Sequence, residues 1–222
     1  MFSAVFMATF VEGADDATKD QFTAEAKAAA EAVSPVFLAD KVYEPPMPGG
    51  DFVCEVGFAD QAAYEAAKGT EAWAALKALF ADSSRIANCE FVAYGDGSLT
   101  LQETEHSTCH RILIFSLREG ADPAMVEKME ATMNNMTTQV PGLLNCKFAR
   151  VVESEGTDDW AYAYECDFDD MGTFLGKYMT TPFHFLYIDK FFEPAAGEWV
   201  ANTNLCTPYF PQEKPFLANF AD

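Results

Sequence analysis

The chain contains two copies of one strand–turn–helix pattern, and this repeat constrains its fold more than any other feature. The string EGAD occurs at residues 12–15 and again at 119–122, each time after an apolar run and before a helical stretch. Two further segments, which begin at Phe58 and Phe168, align without gaps in the same order. Internal similarity of this kind marks one structural unit used twice, so the sequence predicts a tandem duplication.

Both halves of the chain are predicted to follow the order β-α-β-β-α-β. Alternating apolar residues predict strands, and apolar residues at helical spacing predict helices. The strands are expected over residues 2–11, 36–43, 51–58 and 86–94, and over 109–117, 145–153, 160–168 and 199–207. The helices are expected over residues 15–33, 60–67 and 71–81, and over 123–139, 171–178 and 182–192, with a Pro/Gly turn at 44–50.

This element order is the ferredoxin-like one. Four strands with helices on one side leave the other face of the sheet bare, and an apolar face of that size needs a partner. We therefore expect an α+β fold in which two ferredoxin-like halves form an intramolecular dimeric α/β-barrel. The expected boundaries are 1–97 for the first half, 98–107 for a polar linker, and 108–222 for the second half with a C-terminal tail.

The charge balance argues against two classes of partner. The 14 Lys and Arg residues face 35 Asp and Glu residues, which gives a net charge of −21. Such a field repels nucleic acids and anionic membrane surfaces, so we expect neither as a partner. The apolar N-terminal run MFSAVFMATF is short and lacks a basic start, which predicts a first strand and a cytoplasmic protein.

The six cysteines and the carboxylates do not predict a metal site. No two cysteines form a CxxC pair, and most lie in strand-like runs, which is typical of buried thiols in a reducing compartment. Zinc sites need closer ligand spacing, and no stretch of carboxylates has the spacing of a cation-binding loop. We expect neither a metal nor a cofactor.

Three histidines, His106, His110 and His184, are the candidate acid/base groups. His184 follows Tyr178 by six residues, a spacing that a continuous helix would place on different faces. The Thr-Thr-Pro break between them can turn both side chains inward, and a histidine beside a phenol is a workable general base with a donor. A packed, hydrogen-bonded His184 is the alternative that the spacing leaves open.

The run HRILIFSLREGAD, the break at Pro141 and the segment YMTTPFHF together resemble the stress-responsive dimeric α/β-barrel (Dabb) family. That family opens with a histidine before an apolar strand and carries a tyrosine-x-x-His-Pro-x-His segment on its late helix. His110, Tyr178 and His184 match the opening histidine, the tyrosine and the last histidine. Thr181 stands where the family has the first histidine of the segment. The resemblance is weaker over the first half.

One branch of the family, polyketide cyclases of the olivetolic acid cyclase type, needs no cofactor. The resemblance to it implies that His184 acts as the base and that Tyr178 holds the substrate. A further pocket histidine of that branch is replaced here by Tyr162. In the first half Ser3, Lys68 and Ala74 occupy the positions of the three matched residues, so we expect that half to complete the barrel without a site of its own.

We therefore expect a cofactor-independent, cyclase- or lyase-like enzyme in which His184 is a general base acting on a small carbonyl compound. The ligand would be small and apolar or aromatic, and the residues expected to line its pocket are His110, Trp160, Tyr162, Tyr164 and Thr181. The alternatives are a non-catalytic, stress-related binding or structural barrel and a cofactor-free monooxygenase-like protein. The chain is expected as a pseudo-dimeric monomer or a homodimer.

Overall fold

The computed structural model describes residues 1–43 and 48–220, so most of the Pro/Gly turn expected at 44–50 lies outside the described residues. The strands are β1 Phe2–Phe10, β2 Phe37–Lys41, β3 Phe52–Phe58, β4 Ile86–Leu101, β5 Cys109–Leu117, β6 Leu143–Glu155, β7 Tyr162–Phe168, β8 Ala201–Cys206 and β9 Tyr209–Pro211. The α-helices are α1 Asp16–Val33, α2 Gln61–Lys68, α3 Glu71–Phe80, α4 Pro123–Met133 and α5 Met136–Gln139. Two π-helices, Thr173–Tyr178 and His184–Ile188, and two 3₁₀-helices, Asp189–Phe191 and Phe216–Phe220, complete the elements.

The described chain forms two compact units. Unit 1 contains residues 1–96, 151–159 and 207–211, and unit 2 contains residues 97–150, 160–206 and 212–220. The strand order is β2-β3-β1-β4 in unit 1 and β6-β7-β5-β8 in unit 2, so both units have the same ferredoxin-like order. The predicted α+β class with two ferredoxin-like halves is confirmed, while the duplication itself stays a prediction.

The core of unit 1 consists largely of aromatic rings. Antiparallel pairing sets Phe6 of β1 opposite Cys54 of β3 and Phe91 of β4. The Phe6 ring stacks on Phe80 of α3 at 4.5 Å, and the Phe22 ring of α1 meets Phe80 edge-on at 5.5 Å. Helices α1 and α3 thus cover one face of this sheet, as the apolar helical spacing predicts.

The repeated EGAD string has a local structural role in each unit. Gly13 and Gly120 adopt positive φ angles of 82° and 69°, which glycine reaches without steric cost. Asp15 accepts a hydrogen bond from the Thr18 N–H at the start of α1, and Asp122 accepts one from the Ala124 N–H at the start of α4. The string therefore ends a strand, turns the chain and caps the following helix.

Several predicted boundaries differ from the observed ones. Residues 98–101 continue β4, so only the later part of the expected linker is irregular. The single helix expected over 123–139 is interrupted at Asn134 and Asn135 and forms α4 and α5. The two late helical stretches cover residues 171–180 and 182–191, close to the expected ranges, and each contains a π-helical segment. The domain boundaries 1–97 and 108–222 stay a prediction.

The cysteines form no disulfide among the residues described, and five of the six are buried. In this same part of the chain, none of the helices has the length and apolar character required to cross a membrane.

Gly142 in the turn before β6 should be intolerant of a side chain. Its φ is +87°, and a Cβ there would lie 2.5 Å from the Thr173 methyl carbon. Gly142→Ala is expected to lower the free energy of unfolding by about 1–3 kcal/mol, measured by urea denaturation. Gly120→Ala is the matched control, because Gly120 also has a positive φ but nothing within 4 Å of its Cβ position. An equal loss in both variants would show that the Thr173 contact is unimportant.

Candidate functional site

The candidate site lies in unit 2, where two π-helices meet at the Thr-Thr-Pro break. Proline has no backbone N–H and cannot continue the hydrogen bonding of the preceding helix, so the chain breaks at Pro182. π-Helical hydrogen bonding is rare and often occurs at functional sites. As a result Tyr178, which ends the first π-helix, and His184, which begins the second, are neighbours. Their ring centroids lie 4.8 Å apart at an interplanar angle of 64°.

Arg111 of β5 joins this pair from the sheet. Its Nη1 atom donates a hydrogen bond to Tyr178 Oη at 3.1 Å. The guanidinium also lies 5.4 Å from the Phe174 ring centroid and 5.5 Å from that of Tyr178. Arg111 is 6% exposed and Tyr178 1% exposed, so their interaction is shielded from water. A cation in such a place favours negative charge on neighbouring groups.

His184 is buried beside one cation and one anion. Its Nδ1 atom lies 3.0 Å from Asp189 Oδ1, without the alignment of a hydrogen bond. Burial lowers the pKa of His184 below its ordinary value, and Asp189 opposes this effect while Arg111 reinforces it. Burial also raises the pKa of the Tyr178 phenol, against the influence of Arg111. At neutral pH the imidazole is therefore a neutral base and the phenol a proton donor.

The His184 imidazole is expected to titrate below the ordinary histidine pKa of 6.5. Because the pKa is lower in the folded chain than in the unfolded one, protonation favours unfolding. The stability that neutral His184 contributes is present above pH 6.5 and is lost as the pH falls through the folded-state pKa. Histidine NMR titration measures this directly, with His184→Gln to assign the signal. A pKa at or above 6.5 would contradict the expectation.

The sheet face beneath the pair is formed by β5, β6 and β7. Arg111 pairs with Cys166, and Cys166 pairs with Cys146, so these three residues form one row across the strands. Tyr164 follows on the same face, two residues before Cys166, and is fully buried. Burial raises the pKa of the Cys146 thiol to about 11 and raises that of Cys166 well above its usual value. Both thiols stay protonated near neutral pH, so neither is a ready nucleophile.

The other predicted lining residues have different surroundings. The Tyr162 hydroxyl donates to Glu130 at 2.6 Å, and its ring stacks on Phe115 at 5.3 Å. Trp160 is 3% exposed and precedes β7, and Thr181 is half-buried in the break. Within the predicted set, the structure brings the rings of Tyr178 and His184 into direct contact.

His110 lies on the opposite face of β5 from Arg111, since consecutive strand residues point to opposite faces. Its Nδ1 atom lies 2.8 Å from Asp167 Oδ1, and both side chains are fully buried. Asp167 also accepts hydrogen bonds from Asn145 Nδ2, Gln212 Nε2 and the Leu217 N–H. The structure therefore separates His110 from His184 and places it in a buried polar network with the C-terminal segment.

One further pair in unit 2 has ligand-type atoms. A ring nitrogen of His110 and a carboxylate oxygen of Glu165 lie within 4.8 Å of each other. Glu165 is 3.5 Å from the buried Lys147 ammonium, which balances its charge.

Large apolar side chains are exposed next to His184. Phe185, Leu186 and Tyr187 in the second π-helix are 56%, 65% and 51% exposed, and Leu175 in the first is 42% exposed. Adjacent exposed apolar residues are typical of surfaces that bind ligands or partners. These exposed side chains, here called the apolar rim, lie on the two helical segments that carry Tyr178 and His184.

Arg111 is the member of the site that the sequence does not single out. An arginine inside the apolar run RILIF signals a buried charge that needs a partner, yet it does not identify Tyr178 as that partner. The Thr-Thr-Pro break, not the spacing of residues 178 and 184, was the sequence signal for the proximity of their rings, which lie 4.8 Å apart.

The fold and site of unit 2 define a ferredoxin-like α+β domain with a buried His–Tyr–Arg cluster under its late helices. Residues 109–202 match the family model described as Stress responsive A/B Barrel Domain, Dabb. The predicted resemblance to the Dabb family is thus confirmed for this segment of the second half. None of the curated proteins matches the chain in sequence.

Solved structures with a similar fold cover nearly the whole chain. An anthrone oxidase-like protein aligns with a TM-score of 0.65 at 8% identity, covering 95% of this chain and 90% of its own. A monooxygenase-like protein from Fusobacterium nucleatum aligns with a TM-score of 0.60 at 9% identity, covering 95% and 91%. A mutant chlorite dismutase from Candidatus Nitrospira defluvii aligns with a TM-score of 0.52 at 12% identity, covering 100% and 96%. At such low sequence identity, the structural similarity establishes the fold and not the activity.

Proposed function

We propose that unit 2 is a cofactor-independent, cyclase- or lyase-like catalyst that removes a proton next to the carbonyl group of a small organic compound. The observation that carries this proposal is the contact between His184 and Tyr178, 4.8 Å between ring centroids, with Arg111 bonded to the phenol oxygen. A neutral base, an oriented acid and a fixed cation are the groups that formation of an enolate needs.

The protonation states of His184 and Tyr178 follow from their surroundings. Asp189 lies against Nδ1 of His184, which favours the tautomer with its proton on Nδ1 and its lone pair on Nε2. The lone pair takes the proton from the carbon next to the carbonyl group. As negative charge develops on the carbonyl oxygen, the Tyr178 O–H donates a hydrogen bond to it. The bond from Arg111 makes Tyr178 a stronger donor.

An apolar or aromatic substrate suits the surroundings of the base. The exposed side chains of Phe185, Leu186 and Tyr187 lie beside His184, and aromatic side chains cover the sheet face below. His184 retains 10% exposure of its side chain, so the base is not fully closed off from solvent. A flat, apolar carbonyl compound would bury the rim residues as it binds.

Exchange of carbon-bound protons tests the proposed function without knowledge of the natural reaction. The protein is incubated in D₂O with a panel of aryl ketones and 1,3-dicarbonyl compounds, and loss of the α-proton signal is followed by NMR. We expect exchange above the buffer rate for at least one aromatic member of the panel. Rates that stay at the buffer level throughout would refute the proposal.

A cofactor-free monooxygenase-like activity is the second candidate, and the fold shared with a monooxygenase-like protein favours it. In this activity the base would deprotonate a quinol-type compound before its reaction with oxygen. Oxygen uptake that depends on the protein, measured with an electrode over a quinol panel, would support it. A non-catalytic binding protein would instead bind aromatic ligands without exchange or oxygen uptake.

A further inference from the structure

Arg111 occupies a position from which it controls the phenol of the candidate site. It is a strand residue whose cross-strand neighbour is Cys166, and its side chain reaches Tyr178 Oη at 3.1 Å. The Phe174 and Tyr178 rings pack around the guanidinium at 5.4 and 5.5 Å. These two rings restrict the conformations of the Arg111 side chain, so the packing fixes the direction of its hydrogen bond to Tyr178.

We propose that Arg111 is a positioning residue which, by donating to Tyr178 Oη, directs the phenol proton toward the ligand and makes the site select ligands that bind as oxyanions. The inference rests on the proposed function and names its substrate class. That class comprises compounds whose conjugate base is a planar oxyanion, namely phenols and 1,3-dicarbonyl compounds.

The reasoning starts from the hydrogen-bonding capacity of a phenol. Tyr178 has one proton to donate, and Arg111 has only donors. Since Arg111 donates to the phenol oxygen, the Tyr178 proton must point elsewhere, and a ligand oxygen is an acceptor for it. Charge-assisted hydrogen bonds are the stronger ones, so an anionic oxygen gains more at this position than a neutral one.

The proton that the ligand loses stays within the site. A phenol or enol ligand transfers its proton to the neutral His184 imidazole and becomes an oxyanion. His184 becomes an imidazolium, and its charge is balanced by Asp189, whose Oδ1 lies 3.0 Å away. Ligand and protein together keep the same net charge, and no oxidant or co-reactant takes part.

p-Nitrophenol is a suitable probe, because its anion absorbs visible light and its neutral form does not. At a pH where most of the probe in solution is neutral, we expect binding to the protein to raise the absorbance of the anion. Arg111→Met should weaken this binding about tenfold or more, the size of one charge-assisted hydrogen bond. Arg111→Lys should restore part of the affinity, since it keeps the charge but not the planar fork. Nitrobenzene, which has no ionisable group, should bind both variants and the unaltered chain alike.

Arg150→Met is the matched control. Arg150 lies in the same unit, is 69% exposed at its side chain and bonds to Glu130, so its removal changes the net charge equally without touching Tyr178. Histidine NMR supplies a readout that a purely structural role would not move. The pKa of His184 should rise in Arg111→Met, because the nearby cation lowers it, and should be unchanged in Arg150→Met. Thermal melting checks that each variant is folded.

The outcomes separate this inference from the proposed function. Phenolate binding that depends on Arg111 supports the inference even if no carbonyl compound exchanges its protons. Equal phenolate affinity in Arg111→Met and the unaltered chain overturns it, as does a complete lack of p-nitrophenol binding at millimolar concentration. Either negative result leaves proton exchange by His184 to be judged by its own assay.

Discussion

Replacing His184 with alanine is expected to reduce the α-proton exchange rate at least about 100-fold, the usual contribution of a general base. The variant removes the imidazole, whose ring centroid lies 4.8 Å from that of Tyr178. It keeps both residues of the Arg111–Tyr178 hydrogen bond. The measurement is the exchange of the most reactive aromatic compound in the NMR panel, in D₂O at neutral pH.

His106→Ala is the matched control for this variant, because His106 is exposed and lies in the irregular segment before β5. It should leave the exchange rate unchanged. His184→Gln adds a second test, since glutamine keeps much of the volume and polarity but cannot take a proton at neutral pH. Full activity in both His184 variants would mean that His184 is a packed side chain and that any exchange occurs elsewhere.

The site could be predicted from sequence only in part, and the residues of β5 show why. Every residue of β5 from Cys109 to Ser116 is buried, so the strand lacks the alternation that distinguishes one face from the other. His110 and Arg111 are neighbours in the sequence, and only the paired register with Asp167 and Cys166 assigns them to opposite faces. The sequence analysis chose His110 as the β5 residue of the site, whereas in the structure it is Arg111 that reaches Tyr178.

Local signals account for the predictions that agree with the structure. The EGAD strings end in aspartates that cap α1 and α4, so the start of each helix could be placed from the sequence. The Gly-Ser content of residues 97–98 indicated a linker, yet the alternation of Ser98, Leu99, Thr100 and Leu101 continues β4. π-Helical bonding around Pro182 has no period that a sequence pattern could reveal, since it depends on how the two short segments pack.

Replacing Asp167 with alanine is expected to lower the free energy of unfolding by about 3–5 kcal/mol, because it leaves buried polar partners without their acceptor. The carboxylate accepts hydrogen bonds from His110 Nδ1 at 2.8 Å, Asn145 Nδ2 at 2.9 Å, Gln212 Nε2 at 3.0 Å and the Leu217 N–H at 3.2 Å. It thereby joins β5, β6, β7 and the segment that follows β9. Removing it should loosen the C-terminal segment first.

Urea denaturation and amide hydrogen exchange measure the two consequences of Asp167→Ala, the loss of stability and the faster exchange at Leu217. Asp159→Ala is the matched control, because Asp159 is exposed and its loss should change the unfolding free energy by less than about 0.5 kcal/mol. Asp167→Asn should have an intermediate effect, since an amide keeps one acceptor oxygen and adds a donor that faces other donors. If Asp167→Ala were as stable as the control, His110 would not be held by this network, and its assignment as a structural rather than a ligand-binding residue would be wrong.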